Sequence, residues 1–129
     1  MLKHTAHDLA MAARAQIQEC SPQQLQQQLA SAMQLVIDVR EPDEYAAGHL
    51  AGAVNIPRGV LEFRLSADPA LADGDRPLLL YCKSGGRAAL AARALQEMGY
   101  CRVVSLAGGL DAWLAGGLPL AQAPMVDFS

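Results

Sequence analysis

A short apolar run, tied to a helical pattern by a five-residue link, constrains this chain more than anything else in it. The run is Leu78-Leu79-Leu80-Tyr81, bounded by Pro77 and by Cys82-Lys83-Ser84-Gly85-Gly86. Between such boundaries an apolar run predicts a buried strand, covered on both faces. After the link, Leu90, Ala91, Ala94, Leu95 and Met98 recur at helical spacing. Arg87 and Arg93 lie off the centre of that stripe, and Gly99 is placed as its stop. A strand feeding a helix through so short a link predicts an α/β chain with a mainly parallel sheet.

The link is also a candidate site. It brings a helix N-terminus, with its free N–H groups and positive dipole end, against the end of a strand. Gly85 and Gly86 can take positive φ, so that successive amides converge into an anion-binding nest. Cys82 stands at its rim, and Lys83 and Arg87 add positive charge. A nest of this kind favours a thiolate. The expectation is a nucleophilic Cys82 beside a pocket for a small anion, in place of the ordinary reading of a Cys as a small buried residue.

The rest of the chain fits a single domain over residues 1–129. A length of 129 residues suffices for a real core. Half the residues are hydrophobic but only 5% are aromatic, which favours helices packed on a sheet over a β-sandwich. A net charge of −3 leaves no basic footprint for nucleic acid. The three Cys form no Cys-x-x-Cys pair, and His4, His7 and His49 do not cluster, so neither a disulfide scaffold nor a zinc site is expected. No run reaches the length of a membrane span, and charges interrupt the first residues. The expected location is the cytoplasm, where a free reactive thiol persists.

In chain order, residues 5–18 read as an accessory helix, with Thr5 and Asp8 as a capping box and Leu9, Ala12, Ala13 and Ile17 as its apolar stripe. That stripe is expected to pack on the domain's own surface. A first strand is placed at 17–20. Ser21-Pro22 then opens a helix carrying Leu25, Leu29 and Met33, whose Gln-rich side faces solvent. The core spans 17–119, with further strands at 35–39, 53–56, 77–82 and 102–106. Asp38 and Arg40 follow a buried run, which puts them at the carboxyl edge of the sheet, where open α/β sheets bind ligands. Pro42 starts a short helix to about Ala47. His49 follows the closing Gly48 and is expected to satisfy the last helical carbonyls. Arg58–Leu65 reads as helix with Val60, Leu61 and Leu65 inward, Asp68-Pro69 as a further helical turn, and Asp73-Gly74-Asp75 as a surface turn. Gly108-Gly109 makes a tight strand-to-helix turn before a core Trp113, and residues 120–129 read as a loosely attached tail.

Three stretches of this sequence resemble signatures of the rhodanese family of sulfurtransferases. Cys82, Gly85 and Arg87 meet its Cys-x-x-Gly-x-Arg loop. Asp38-Val39-Arg40, Glu44-Tyr45, Gly48-His49-Leu50, Gly52-Ala53 and Asn55-Ile56-Pro57 match a second signature, and Gly108-Gly109 with Ala112-Trp113 a third. The resemblance implies a three-layer fold, five strands flanked by helices on both faces, to which the N-terminal helix is an addition. It implies that Cys82 takes sulfane sulfur from thiosulfate or another small anionic donor, holds it as a persulfide in the loop Lys83-Ser84-Gly85-Gly86-Arg87, and passes it to a thiol, a partner protein or cyanide. Asp38 and Arg40 would support the loop, Lys83 and Arg87 would neutralise the donor's anionic end, and Arg87 would also fix the loop. No metal or organic cofactor is required, and ping-pong kinetics should follow. Phe63 or Arg64 could shape access. Cys20 and Cys101 sit in no nest and are read as incidental. The related phosphatases and arsenate reductases need one more loop residue, which would put Arg where Ala88 stands. A module that binds without turnover, and a persulfide carrier dedicated to one partner, are the other readings.

Overall fold

The computed structural model describes residues 1–29 and 34–122. The elements run α1 (Ala6–Arg14), β1 (Gln18–Cys20), α2 (Pro22–Leu29), β2 (Leu35–Asp38), α3 (Pro42–Ala47) and β3 (Val54–Asn55). A 3₁₀ turn (Arg58–Val60) leads into α4 (Leu61–Ala67), followed by β4 (Leu78–Tyr81), α5 (Gly86–Met98), β5 (Val103–Leu106) and α6 (Gly109–Ala115). The five strands form one sheet in the order β1-β5-β4-β2-β3, and every pairing is parallel.

Alternation along β4 builds both faces of the core. Leu78, Leu80 and Cys82 point toward Leu61 and Leu65 of α4 and the small residues of α5. Leu79 and Tyr81 point the other way, toward Leu25 of α2 and Leu110 and Trp113 of α6. Each of the three leucines is fully buried and contributes about 1.5–3 kcal/mol relative to exposure. Trp113 finds its hydrogen-bond partner in the Pro119 carbonyl at 2.8 Å.

The order of the strands decides where a ligand can sit. The chain leaves β2 toward β3 on one side and leaves β4 toward β5 on the other. Two neighbouring strands whose connections diverge leave a crevice at their carboxyl ends. The Asp38–Arg40 segment and the Cys82–Arg87 loop both open into it.

Several elements are shorter than the sequence predicts. α1 does have its capping box: the Asp8 amide donates to Thr5 Oγ1 at 3.1 Å and the Thr5 amide to the Asp8 carboxylate at 2.9 Å. It stops at Arg14 and not at 18, because the Gln16 amide turns back to the Ala13 carbonyl and the chain must extend to pair Gln18 with Val104. α2 starts at Pro22 behind a reciprocal Ser21–Gln24 cap. Met33, expected on that helix, lies outside the described residues. Val60 is exposed, not inward, since it falls in the 3₁₀ turn before α4 begins. Asp68-Pro69 makes a hydrogen-bonded turn closed on the Asp68 carbonyl and adds no helix.

α5 differs most. Its sheet-facing side is Ala88, Ala91, Ala92 and Leu95, all fully buried, while Met98 is 42% exposed. Leu90 and Ala94 face α1, which lies on the outer side of α5 as a further layer. A single-stripe reading misses a helix that is packed on two sides. The expected loose tail is anchored at its start, where Ala121 and His49 exchange backbone bonds of 2.7 and 2.8 Å. Residues 123–129 lie outside the described part.

Candidate active site

The loop after β4 folds around the sulfur of Cys82. Gly85 takes φ +106°, a left-handed conformation that a side chain would strain, and α5 starts on the next residue. This bend turns two amides onto the sulfur: Gly85 N–H donates to Cys82 Sγ at 3.1 Å and Ala88 N–H at 3.4 Å. Cys82 itself is 1% exposed.

A second Gly pair holds this loop from behind. Gly108 and Gly109 both take positive φ, and the N-terminus of α6 closes on the loop carbonyls. Leu110 N–H donates to the Cys82 carbonyl at 2.8 Å and Asp111 N–H to the Lys83 carbonyl at 2.9 Å. These are amides that a helix cannot satisfy within itself. The turn expected only to join strand and helix is thus a clamp on the candidate nucleophile.

The charged residues of the crevice meet in pairs. Arg87 makes a two-pronged contact with Glu44 of α3, at 2.8 and 3.1 Å, which ties the two sides of the crevice together. Hydrogen bonding from Arg87 is the main reason the Glu44 carboxyl is lowered to about 2, and Glu44 in turn raises Arg87. Both side chains keep some solvent contact, so the pair positions the loop more than it stabilises the fold. Lys83 Nζ meets the Asp111 carboxylate at 3.1 and 3.2 Å on the open rim. The two cations expected to stand ready for a donor are both engaged by carboxylates.

Asp38 and Arg40 form a buried pair beneath the crevice. Asp38 accepts from the Arg40 amide, from Nε and from Nη2, the last at 2.7 Å, and Arg40 also donates to the Gly48 carbonyl at 2.6 Å. The Tyr81 ring covers the guanidinium at 5.9 Å. Burial alone would lower Arg40, but Asp38 outweighs it and the net shift is upward. Asn55 Nδ2 bridges the Asp38 and Arg40 carbonyls at 3.0 and 2.9 Å. The Tyr81 hydroxyl accepts from the Leu50 amide at 3.0 Å, and burial pushes its ionisation upward. Arg40 is thereby turned into the protein, in a supporting position.

His49 places Nδ1 2.8 Å from the Tyr45 carbonyl in the last turn of α3 and stacks on the Tyr45 ring, as its position after Gly48 predicts. Phe63 and Arg64 are exposed on α4. Cys20 is buried in the opposite half of the core, where burial pushes its thiol up. Cys101 is exposed and its thiol donates to the Gly74 carbonyl at 3.1 Å. A groove of about 590 Å³ between α1 and α5, lined by Leu9, Ala13, Leu90 and Arg93, includes no residue of the Cys82 loop.

Four contributors escape the sequence reading. The Ala88 amide was foreseeable, because it lies in the first turn of a helix. The contacts of Glu44, Asp111 and Gly109 were not, because each depends on which strands are neighbours.

The family model described as "Rhodanese-like domain" matches residues 21–116. A sulfurtransferase of Allochromatium vinosum is 36% identical over 105 residues, covering 81% of this chain and 94% of its own. The solved human single-domain sulfurtransferase TSTD1 superposes with a TM-score of 0.70 at 31% identity, covering 75% of this chain and 95% of its own. A Rhodopseudomonas palustris protein described as a possible tyrosine phosphatase superposes with a TM-score of 0.83 at 26% identity, covering 94% and 97%.

Proposed function

This chain belongs to the rhodanese-like domain family, and on that premise we propose that it is a sulfurtransferase working through a persulfide on Cys82. The observation that carries the reading is the pair of amide donors on Cys82 Sγ, from Gly85 and Ala88, at the carboxyl end of the central strand. Two fixed donors suit an anionic sulfur, and the same donors serve the thiolate before transfer and the persulfide after it.

In the first half-reaction the Cys82 thiolate attacks the outer sulfur of thiosulfate or of a persulfide. The Sγ–S bond forms as the donor's S–S bond breaks, and sulfite or a thiolate leaves with the bonding pair. In the second, a thiol, a partner protein or cyanide attacks the outer sulfur, and the Cys82 thiolate is released. Arg87 and Glu44 hold the loop across the crevice. Asp38 and Arg40 support the strand end beneath it. The chemistry needs a free thiol, which fits a reducing compartment such as the cytoplasm.

A phosphatase reading of this chain, which the description of the Rhodopseudomonas structure raises, is opposed by its own loop, where Arg87 follows Cys82 after four residues and a tetrahedral phosphate needs a wider ring. The test is intact mass after incubation with thiosulfate and, separately, with an organic persulfide. Wild type gains one sulfur atom, loses it on adding cyanide, and does not hydrolyse an aryl phosphate. Cys82→Ala gains none, whereas Cys20→Ala and Cys101→Ala load as wild type. A folded wild type that takes sulfur from neither donor would refute the reading.

A further inference from the structure

Two buried polar atoms have no hydrogen-bond partner among the described residues: Glu19 Oε2 on β1 and Ser105 Oγ on β5. The register of the parallel β1–β5 pair sets these two residues side by side. Alternation puts both on the face that α5 covers. Ile17 packs against the α5-side core and Cys20 against the opposite one, so Glu19 points to the α5 side. Val103 belongs to the α5 side and Leu106 to the other, so Ser105 points the same way as Glu19. Ser105 is fully buried. The other oxygen of the Glu19 carboxylate is taken by Arg14 of α1, whose Nε and Nη2 each lie 3.3 Å from Oε1.

A carboxylate oxygen and a hydroxyl taken out of water without partners are costly, and folded interiors satisfy nearly all such groups with protein or with ordered water. Here the protein offers neither atom a partner, and the two are not bonded to each other. The helices over this face offer no polar group from their buried sides: apart from Leu95, each buried residue of α1 and α5 is an alanine. Side chains that small leave room for a molecule the size of water. We infer that one internal water binds between β1 and β5 beneath these helices, donating a hydrogen to Glu19 Oε2 and hydrogen-bonded to Ser105 Oγ. Two polar protein groups are enough to hold such a water. Glu19 then links Arg14 through one oxygen and Ser105, by way of the water, through the other. The chain of contacts joins α1 to β5 across the edge strand β1. The direct polar ties at this end of α1 are exposed: Arg14 to Glu19, and Gln96 Nε2 to the Gln16 carbonyl at 3.1 Å. The water supplies the buried one, and it does so independently of Cys82 and of sulfur transfer.

Two measurements on the full chain test this. A crystal structure at a resolution that shows ordered water should contain one water within about 2.7–3.2 Å of both Glu19 Oε2 and Ser105 Oγ. Thermal unfolding of Ser105→Ala gives a readout whose sign depends on the water. If the hydroxyl is bonded to it, the variant loses that bond and its midpoint falls by about 3–6 °C. If the hydroxyl has no partner, the same variant removes an unsatisfied group and its midpoint rises. The change deletes a single atom and overpacks nothing, so the variant folds in either case. A direct Ser105–Glu19 hydrogen bond in the crystal, no water at that place, or a Ser105→Ala midpoint that is unchanged or raised overturns the inference.

Discussion

Gly109 lies so close behind Cys82 that a Cβ built on it would stand 2.6 Å from the Cys82 carbonyl oxygen, and equally close to that of Lys83. Neither neighbour is the end of a flexible side chain, so the overlap can be relieved only by moving the loop. Gly109 also has φ +61°, which strains any residue with a side chain. Gly109→Ala should therefore destabilise the protein by about 2–4 kcal/mol and slow sulfur loading of the folded fraction. Gly52→Ala is the control: its φ is also positive, at +80°, but nothing lies within 4 Å of its Cβ. Urea unfolding of the two variants separates backbone strain from loop displacement. Equal losses would show that contact with the loop is immaterial.

Asp38→Ala is expected to cost about 3–5 kcal/mol, because it leaves the Arg40 guanidinium buried without its carboxylate. The Gly48 carbonyl and the Tyr81 ring remain as partners but carry no full charge. Replacing both residues, as Asp38→Ala with Arg40→Met, should recover most of the loss, since no buried charge is then left unpaired. Denaturant midpoints of the two single variants and the double variant provide the check. A double variant as unstable as the sum of the singles would mean that the pair is not the unit that matters.

Much of this was legible in the sequence because local chemistry and tertiary need coincide. The run Leu78–Tyr81 is a strand and fully buried, and Gly85 and Gly99 take the left-handed conformations that their places at the two ends of α5 require. His49 could be placed against a helix-end carbonyl from the preceding Gly48 alone. The failures have a common cause. Helical spacing groups Leu90 and Ala94 with Ala91 and Leu95 on one stripe, but α1 provides a second surface and takes Leu90 and Ala94. Lys83 and Arg87 read in the sequence as cations for a donor's anionic end, but each meets a carboxylate, from residues 28 and 43 positions away. Sequence spacing carries no information on such pairs until the strand order is known.

Glu44 gives a pH signature that identifies the Arg87 contact as its source. Its carboxyl lies at about 2 in the folded protein against an ordinary value of 4.5, mainly through hydrogen bonding from Arg87. A lowered folded value means that the unfolded chain takes up the proton first. The stabilisation is then complete above about pH 4.5 and fades as the pH falls from there toward 2. Arg87 stays protonated throughout, so the whole change belongs to the carboxylate. Because both groups touch solvent, the stability difference between wild type and Glu44→Gln should be only about 1 kcal/mol at neutral pH. Urea unfolding of both proteins at several pH values should show a constant gap down to about pH 5 and a gap near zero at pH 2. Repeating the neutral measurement in Arg87→Met should abolish the difference between Glu and Gln at position 44. A gap that fades with acid but survives the loss of Arg87 would assign the lowered carboxyl to the Glu41 amide instead, the backbone bond at 3.1 Å that Glu44 also accepts, and a gap that persists at pH 2 would show that it does not come from the carboxylate's charge.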